Sequence, residues 1–392
     1  MKTNKKIILC FIGYYLPDYN SGGPVRSIEN FVNQLSCEFD IKIVCNNHDS
    51  LKKTVFEGVF NDTWQKVGNA SVYYVSKKTL KLKEIKKLIN DTKHDILYVN
   101  SFFSYHFSLI PIILSSFKNL SDVPCIIAPR GEFSSGAIKI KFLKKKLYLI
   151  IFKLLGLHKS VFWQATSDLE KKDIKREIGN IVKNIHIAPN LTLPIDNINL
   201  KNIRRRKQGK LRIIFLSRIS PKKNLDFILK ELIKIKVPLE FAIYGPKSDL
   251  KYWKRCLNLI NKLPSNVQII VNEEIPNNQV QNIFENYDLF VFPTLGENFG
   301  HVIFECLKTG TPVLVSDQTP WKSNEIGGLQ TLSLNESQWT DAITEWSKFD
   351  DDKLFETRKE ALEYISNYTN NSIALEQNKK LFNSILNNKN II

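Results

Sequence analysis

The stretch PTLGENFGHVIFECLKTGTPVLVSDQTPW, residues 293–321, decides the fold. An apolar run typical of a strand, LFVFP, ends at Pro293, and a glycine-containing loop follows it. A helix is predicted to begin between Phe299 and His301, and the next strand, PVLVS, occupies residues 312–316. This order of strand, loop, helix and strand is typical of α/β proteins with a mainly parallel sheet.

The same order recurs along both halves of the chain. The opening run KKIILCFIGYYLP (5–17) leads into a glycine loop, SGGPVRS (21–27), before a helical pattern that begins near Ile28. Further strand candidates in the first half are IKIVC (41–45), VYYV (72–75), DILYVN (95–100), CIIAP (125–129), VFWQAT (161–166) and NIHIAPN (184–190). Those in the second half are LRIIFLS (211–217), LEFAIYG (239–245), VQIIV (267–271) and the two runs quoted above. The pattern predicts two Rossmann-like domains.

Length and composition agree with two domains. The 392 residues exceed the usual size of one core, and a hydrophobic content of 43% is ample for two. The N-terminal domain is predicted at 1–195, a polar and basic linker at 196–210, and the C-terminal domain at 211–365, beginning with the strand at Leu211. Residues 366–392 are predicted to form a C-terminal helix that packs back toward the N-terminal domain.

The formal charge of +17 is unevenly distributed. Residues 1–195 carry +13 and residues 196–210 carry +5, whereas residues 211–392 carry −1. The N-terminal half therefore favours an anionic surface or substrate, such as membrane phospholipid, a pyrophosphate-linked lipid or nucleic acid. Charge alone leaves these three open.

Several classes of protein are disfavoured. No run of about 20 apolar residues occurs, and the start of the sequence lacks a cleavage site, so we expect a soluble cytosolic chain. The cysteines lack CxxC spacing, and His94, His106 and His301 each stand alone, so we predict neither disulfides nor a metal site. No G-x-G-x-x-G follows an opening strand, which disfavours an NAD-dependent dehydrogenase.

Two acidic residues in the fold-deciding stretch are candidates for sugar binding. Glu297 and Glu305 are eight positions apart, a little over two helical turns, so both are predicted near one side of the helix. Gly300 lets a ligand approach the helix N-terminus closely, where anions are favoured. The alternative is that Glu297 caps the helix and Glu305 lies on a solvated face.

A basic loop is the second candidate. In FLSRISPKKNLDFIL (215–229), Arg218 and Lys223 are predicted to converge above the carboxyl edge of the sheet. Two cations there can neutralise a diphosphate leaving group as charge develops on it. The alternative is an ordinary solvated loop.

These motifs resemble those of retaining glycosyltransferase family 4, enzymes of the GT-B fold, in which two Rossmann-like domains with parallel sheets face a central cleft. The resemblance rests on the glutamate-x7-glutamate motif and on a G-R-x-x-x-x-K-G pattern, with Ser217 and Asn224 in place of its glycines. It implies that Glu297 contacts the transferred hexose, that Glu305 binds the nucleotide ribose, and that Arg218 and Lys223 assist departure of the phosphate. Further donor contacts are implied at Gly23, Gly245, Asn298, Phe299, Gly300 and His301.

The N-terminal half supplies candidate acceptor contacts. Gly22 and Arg26 lie in and just after the glycine loop, and the alternative there is a plain turn with a surface arginine. Arg130 occupies the loop where many family members carry a histidine, and it is interpreted as a ligand of an acceptor phosphate. Residues 139–159 contain seven lysines and no acid, which suits a membrane interface or a lipid pyrophosphate. The alternative is a core helix with solvated lysines.

The sequence is thus interpreted as a metal-independent glycosyltransferase of cell-surface polysaccharide biosynthesis, without a cofactor. Its expected partners are a nucleotide-sugar donor, a glycan or polyprenyl-pyrophosphate-linked acceptor and the inner face of the plasma membrane, but not nucleic acid. A non-hydrolysing sugar-nucleotide epimerase of the same architecture stays open, and it would turn over donor without an acceptor. A non-catalytic membrane- or RNA-binding module explains the charge but not the paired glutamates.

Overall fold

The chain forms two compact units, of which the first combines Met1–Leu193 with Ile373–Ile392 and the second is Pro194–Ser372. The computed structural model describes residues 5–18, 21–116, 123–180, 182, 184–192, 209–370 and 372–387. The predicted linker, 196–210, lies outside the described residues except for its last two positions.

The first unit is built on an eight-stranded sheet in the order β3-β4-β2-β1-β5-β6-β7-β8. All neighbouring strands are parallel except the β3–β4 hairpin. The strands are β1 Lys6–Ile12, β2 Phe39–Asn46, β3 Trp64–Val67, β4 Ala70–Val75, β5 Ile96–Asn100, β6 Cys125–Ala128, β7 Val161–Ala165 and β8 Ile185–Ile187. Seven of them coincide with predicted runs, and β3 is additional.

Both faces of this sheet are buried, as a parallel sheet requires. Alternate residues of β1 enter two separate clusters, with Leu9 and Phe11 in one and Ile8 and Cys10 in the other. Among the described residues of this unit, the α-helices are α1 Gly23–Leu35, α2 Leu82–Asp91, α3 Ile110–Ser116, α4 Ser135–Lys139, α5 Phe142–Leu154, α6 Asp168–Ile178 and, later in the chain, α13 Ala374–Asn387.

Helix α13 completes the core of the first unit. The Phe382 ring lies 5.3 Å from that of Phe31 in α1 and 5.2 Å from that of Tyr98 in β5. Asn378, which is 1% exposed, donates from Nδ2 to the Pro189 carbonyl at 2.8 Å and accepts from Gln164 at 3.2 Å. These contacts join residues that are at least 189 positions apart in the sequence.

The second unit contains a fully parallel six-stranded sheet in the order β11-β10-β9-β12-β13-β14. Its strands are β9 Leu211–Leu216, β10 Leu239–Tyr244, β11 Val267–Val271, β12 Leu289–Phe292, β13 Val313–Ser316 and β14 Leu329–Leu332. Its helices are α7 Leu225–Ile233, α8 Leu250–Ile260, α9 Val280–Phe284, α10 His301–Lys308, α11 Glu336–Ser347 and α12 Asp351–Asn370. The predicted α/β class with two parallel-sheet domains is confirmed.

Helix α12 extends past the predicted domain boundary at 365/366. Ala361 and Ile365 of this helix are buried in the core of the second unit, and Tyr368, beyond the predicted boundary, packs against the same core. In addition, the Arg358 guanidinium donates to the carbonyl of Tyr287. Among the helices of the described residues, none is long and apolar enough to cross a membrane.

The contacts of Asn378 yield a stability prediction. Replacing Asn378 by Ala leaves Gln164 Nε2 short of one acceptor and the Pro189 carbonyl without this donor, and we expect a loss of about 2 kcal/mol of unfolding free energy. Asn383→Ala, an exposed position of the same helix, is the matched control and should change stability by less than about 0.5 kcal/mol. Urea unfolding followed by tryptophan fluorescence measures both, and equal effects would contradict the role of Asn378.

Candidate active site

Four loops of the second unit meet at the carboxyl edge of its sheet. They follow β10, β9, β12 and β13, which are consecutive neighbours in the strand order. Because all four strands are parallel, the loops that leave them emerge on the same side. The residues of both sequence motifs lie in these loops or just after them.

The loops after β9 and β10 are joined through backbone groups. Ser217 N donates to the Tyr244 carbonyl at 3.1 Å, and Ile219 N donates to the Pro246 carbonyl at 3.0 Å. Gly245, with φ of 134°, has its missing Cβ only 2.0 Å from the Ser217 carbonyl oxygen. Close packing of the two loops therefore explains the glycine, and its predicted donor contact stays a prediction.

The loops after β9 and β12 are joined more tightly. The Lys222 carbonyl accepts from Leu295 N at 2.8 Å and lies 3.2 Å from the Thr294 hydroxyl. Asn224 donates from Nδ2 to the Pro293 carbonyl at 3.0 Å. Three hydrogen bonds therefore hold the two motif loops together.

Asn224 itself explains a departure from the family pattern. Its φ of 61° lies in the left-handed region, which asparagine tolerates better than most residues other than glycine. Asn224 thus adopts a backbone conformation that glycine also favours, and its side chain adds the hydrogen bond to Pro293.

Lys223 and Glu297 form an ion pair between these loops. Their side chains are 20% and 12% exposed, and Glu297 Oε1 also lies 3.2 Å from the Thr294 hydroxyl. Glu297 N donates to the Gln318 carbonyl at 3.0 Å, which ties the residue to the loop after β13. The structure thus brings together two of the three residues predicted to act in catalysis.

The surroundings of Glu297 keep it ionised. Burial would raise the pKa of its carboxyl group, but the Lys223 and Lys222 ammonium groups and the hydrogen bonds from Lys223 and Thr294 outweigh burial. The pKa therefore lies below the ordinary glutamate value. A carboxylate that stays charged at neutral pH suits binding of hydroxyl groups.

The helical placement predicted for Glu297 needs correction. Helix α10 begins at His301, and Gly300, with φ of 81°, is its N-cap, so Glu297 lies in the preceding loop. Glu305 is inside the helix as predicted, half-buried, on the same face as His301 because the two are four residues apart. Arg218, the third residue predicted to act in catalysis, is exposed just after β9, and Asn298 is half-buried.

A cluster of aromatic side chains packs against the loop between β12 and α10. The Trp321 indole donates to the Phe299 carbonyl, and the two rings lie 5.3 Å apart. Tyr368 of α12 packs on Trp321 at 4.8 Å. Phe299 is 5% exposed, so its predicted donor contact depends on its backbone N–H. The φ of 81° at Gly300 is strained for any residue with a side chain, so the backbone conformation of the loop accounts for this glycine.

The sequence interpretation overlooked three supporting residues. Thr294 and Trp321 lie at the two ends of the fold-deciding stretch but carry no charge, and Lys222 acts through its backbone carbonyl. A threonine directly after a buried strand and a tryptophan with a polar N–H are the signals that could have found the first two. Across the described ranges, no three His, Cys, Asp or Glu side chains are grouped so as to hold a metal ion.

In the glycine loop of the first unit, the space beside the backbone of one residue is empty of atoms of the described residues. Gly22, the N-cap of α1, has φ of 67°, and no described heavy atom lies within 4 Å of its missing Cβ. Gly23 and Pro24 begin the helix, and Arg26 in its first turn is half-buried, with burial lowering its pKa. Asp18 anchors this loop through the Ser21 hydroxyl at 2.7 Å.

Arg130 is held within the first unit by neutral partners. Its guanidinium donates to Asn100 Oδ1 at 2.8 and 3.0 Å, to the Tyr98 hydroxyl at 2.7 Å and to Asn190. The next residue, Gly131, donates its N–H to Glu170 at 2.6 Å. Most donors of Arg130 are therefore committed to the protein, and its predicted contact with an acceptor phosphate stays a prediction.

The chain is similar to known proteins by sequence in its second half. Residues 196–361 match the family model of glycosyl transferases group 1. The region contains both sequence motifs and all four loops at the carboxyl edge. No curated protein matches the chain by sequence.

By structure, the similarity extends over the whole chain. Anabaena HepE, solved in complex with UDP-glucose, is 14% identical with a TM-score of 0.67 over 97% of this chain and 99% of that chain. An E. coli trehalose-6-phosphate protein bound with UDP-2-fluoro glucose is 13% identical, with a TM-score of 0.68 over 99% and 100%. Sucrose-phosphate synthase from Thermosynechococcus elongatus is 12% identical, with a TM-score of 0.63 over 98% and 100%. The chain has the GT-B fold.

The shared hydroxyl of Thr294 yields the first prediction for this site. Thr294→Val keeps the shape but removes the hydroxyl beside the Lys222 carbonyl and Glu297, and we expect a loss of about 1–3 kcal/mol in unfolding free energy. Thr294→Ser keeps the hydroxyl and is the matched control, with a smaller loss. Thermal unfolding compares them, and a loss in Thr294→Val no larger than that in Thr294→Ser would contradict the role assigned to the hydroxyl.

The second prediction concerns pH. Since the pKa of Glu297 is lowered, its stabilising effect is complete above the ordinary value of 4.5 and is lost as pH falls through the lowered pKa. The stability difference between the wild type and Glu297→Gln should be constant from pH 7 to about pH 5.5 and shrink at lower pH.

Urea titrations at a series of pH values measure this difference. Glu273→Gln is the control, because Glu273 is 80% exposed and its pair with Lys247 is a surface one. A difference for Glu297→Gln that stays the same down to the acid unfolding limit would contradict the lowered pKa.

Proposed function

We propose that this chain is a retaining hexosyltransferase of the family 4 type. It moves a hexose from a nucleotide-diphosphate sugar to a hydroxyl of a glycan or lipid-linked acceptor in cell-surface polysaccharide biosynthesis. The observation that carries the proposal is the contact between Lys223 and Glu297 within the region that matches group 1 glycosyl transferases.

The similar structures support a nucleotide-sugar donor. Anabaena HepE was solved with UDP-glucose, and the E. coli protein with UDP-2-fluoro glucose. A donor at the carboxyl edge of the second sheet agrees with the place where open α/β sheets bind ligands. We assign the hexose to Glu297 and the ribose to Glu305, whose side chains carry the acceptor oxygens that sugar hydroxyls need.

The diphosphate is assigned to the basic loop. As the bond between the sugar and the phosphate breaks, negative charge grows on the leaving diphosphate, and Arg218 and Lys223 stabilise it. The acceptor hydroxyl attacks from the same face of the sugar, and the departing phosphate takes its proton, so a separate protein base is not needed. The same two cations neutralise the charge that a metal ion would otherwise offset, and we propose a metal-independent reaction.

The pair of Lys223 and Glu297 has a positioning role in this scheme. Each side chain neutralises the other before the donor arrives, so a charged acid and a charged base are kept in a partly buried site without an unpaired charge. Because both are fixed by the loops joined at Lys222, the donor meets groups that are already in place. Gly245, Asn298, Phe299, Gly300 and His301 complete the proposed donor contacts.

The acceptor is assigned to the first unit. Gly22 and Arg26 lie in and just after its glycine loop, and Arg130 lies two residues after β6. The basic charge of this half suits a polyprenyl pyrophosphate, and we propose a cytoplasmic enzyme that works peripherally at the inner face of the plasma membrane.

The donor test is a thermal-shift screen with UDP-, GDP-, ADP- and dTDP-sugars, followed by product analysis with the best donor. Arg218→Ala and Lys223→Ala should each lower kcat by about 10²- to 10³-fold, since each removes a group that stabilises the leaving phosphate. Lys236→Ala is the control, an exposed lysine that precedes β10 at the opposite edge of the sheet, and it should leave kcat unchanged.

Three outcomes would count against the proposal. If no nucleotide sugar stabilises the protein in the thermal-shift screen, the proposed donor class is contradicted. If the donor is converted without any acceptor, the enzyme is an epimerase. A product with inverted anomeric configuration contradicts the retaining mechanism while leaving the donor site intact.

A further inference from the structure

Helix α5 carries an apolar stripe on its outer side. Its residues Leu143, Leu147, Ile150, Ile151 and Leu154 are 80%, 59%, 46%, 42% and 81% exposed. A surface helix of a globular protein normally presents charged and polar residues to water, with its apolar residues confined to the face that packs on the core. The outer stripe of α5 departs from that rule.

The register of the helix separates this outer stripe from the core side. Leu149 and Phe152 are buried, and the Phe152 ring packs 4.8 Å from that of Phe102. With 100° between successive residues, Leu143 and Leu154 point in nearly the same direction, close to opposite the mean direction of Leu149 and Phe152. The helix is thus anchored by one apolar face and presents a second one outward.

Lysines border the outer stripe on both sides. On the same helical wheel Lys144 falls on one side, and Lys146 and Lys153 fall on the other. All three are exposed, as are Lys139 and Lys141 just before the helix. Lys145 is different, because it donates to the Ala137 carbonyl at 2.8 Å and lies 4.7 Å over the Phe103 ring, so it belongs to the core side.

We propose that α5 docks in the interface of an anionic phospholipid bilayer, with the outer stripe at the level of the upper acyl chains and the bordering lysines at the phosphates. Helices with an apolar face bordered by lysines lie in this way in the membrane plane. At 13 residues, α5 is too short to span the hydrocarbon core, which needs about 20. The proposal rests on the proposed function only for its setting at the inner membrane face.

Composition favours lipid over a protein partner. Protein interfaces are enriched in aromatic residues and arginine and depleted in lysine, whereas the outer stripe consists of leucine and isoleucine between lysines. A second copy of the chain packed on the stripe would bring two sets of lysines together without an acid between residues 139 and 159 to pair with them. Anionic headgroups supply the missing negative charge.

The test is flotation of the full chain with vesicles of phosphatidylcholine alone or with phosphatidylglycerol added. The wild type should float with the anionic vesicles and much less with the neutral ones. The variant Leu143→Gln/Leu154→Gln should bind the anionic vesicles at least about tenfold more weakly, because the two most exposed residues of the stripe no longer enter the lipid. Leu82→Gln/Leu250→Gln, at exposed positions of other helices, is the control and should bind as the wild type does.

The lysines are tested in the same way. Lys144→Gln/Lys146→Gln/Lys153→Gln should lose the preference for anionic vesicles, and the equal charge change Lys83→Gln/Lys86→Gln/Lys87→Gln on α2 should retain most of it. All variants should keep the thermal unfolding temperature of the wild type, since the changed side chains are exposed.

Two results would overturn the proposal. In one, the wild type does not float with the anionic vesicles, or the α5 variants bind these vesicles as well as the control variants do. In the other, the α5 leucine variant converts a dimer to a monomer in light scattering while vesicle binding is unchanged, which makes the stripe a contact between copies. Flotation uses no sugar donor, so a protein that floats but transfers no sugar contradicts only the proposed function.

Discussion

The site of the second unit depends on one backbone carbonyl, that of Lys222. It accepts from Leu295 N and lies beside the Thr294 hydroxyl, so two loops that are more than 70 residues apart in sequence share a fixed register. Lys223 follows this carbonyl directly, and Glu297 follows Leu295 by two positions, so the register sets the two charged side chains against each other. A shift of one residue in either loop would separate them.

In the first unit, buried or half-buried ionisable residues similarly hold the loop that follows β6. Arg130 and Glu170 both bind groups in the loops at the carboxyl edge of the first sheet. Arg130 donates to neutral side chains, and Glu170 accepts from the N–H groups of Gly131 and Thr166. Burial raises the pKa of Glu170 despite these hydrogen bonds. In each unit, a glutamate that is largely shielded from water, Glu170 in the first and Glu297 in the second, thus binds a loop that contains predicted site residues.

Much of the fold could be predicted because parallel strands are buried on both faces and appear as continuous apolar runs. The strands β3 and β14 were missed because WQKV and LQTL are four residues long, mix polar with apolar residues and are only partly buried. The two residues that connect β3 to β4, Gly68 and Asn69, are typical of a tight β-hairpin turn and could have indicated β3 from the sequence. The position of Glu297 could not be obtained from helical spacing, since the carbonyl of Gln318, a partner distant in sequence, sets it.

Helix α13 has a consequence for the order in which the protein can fold on the ribosome. The core around Phe31 and Tyr98 includes Phe382, which is synthesised after every strand of both sheets. The second unit draws its own core from a continuous segment and is complete sooner. The first unit is therefore the last to close, and part of its apolar surface stays uncovered until α13 has been synthesised.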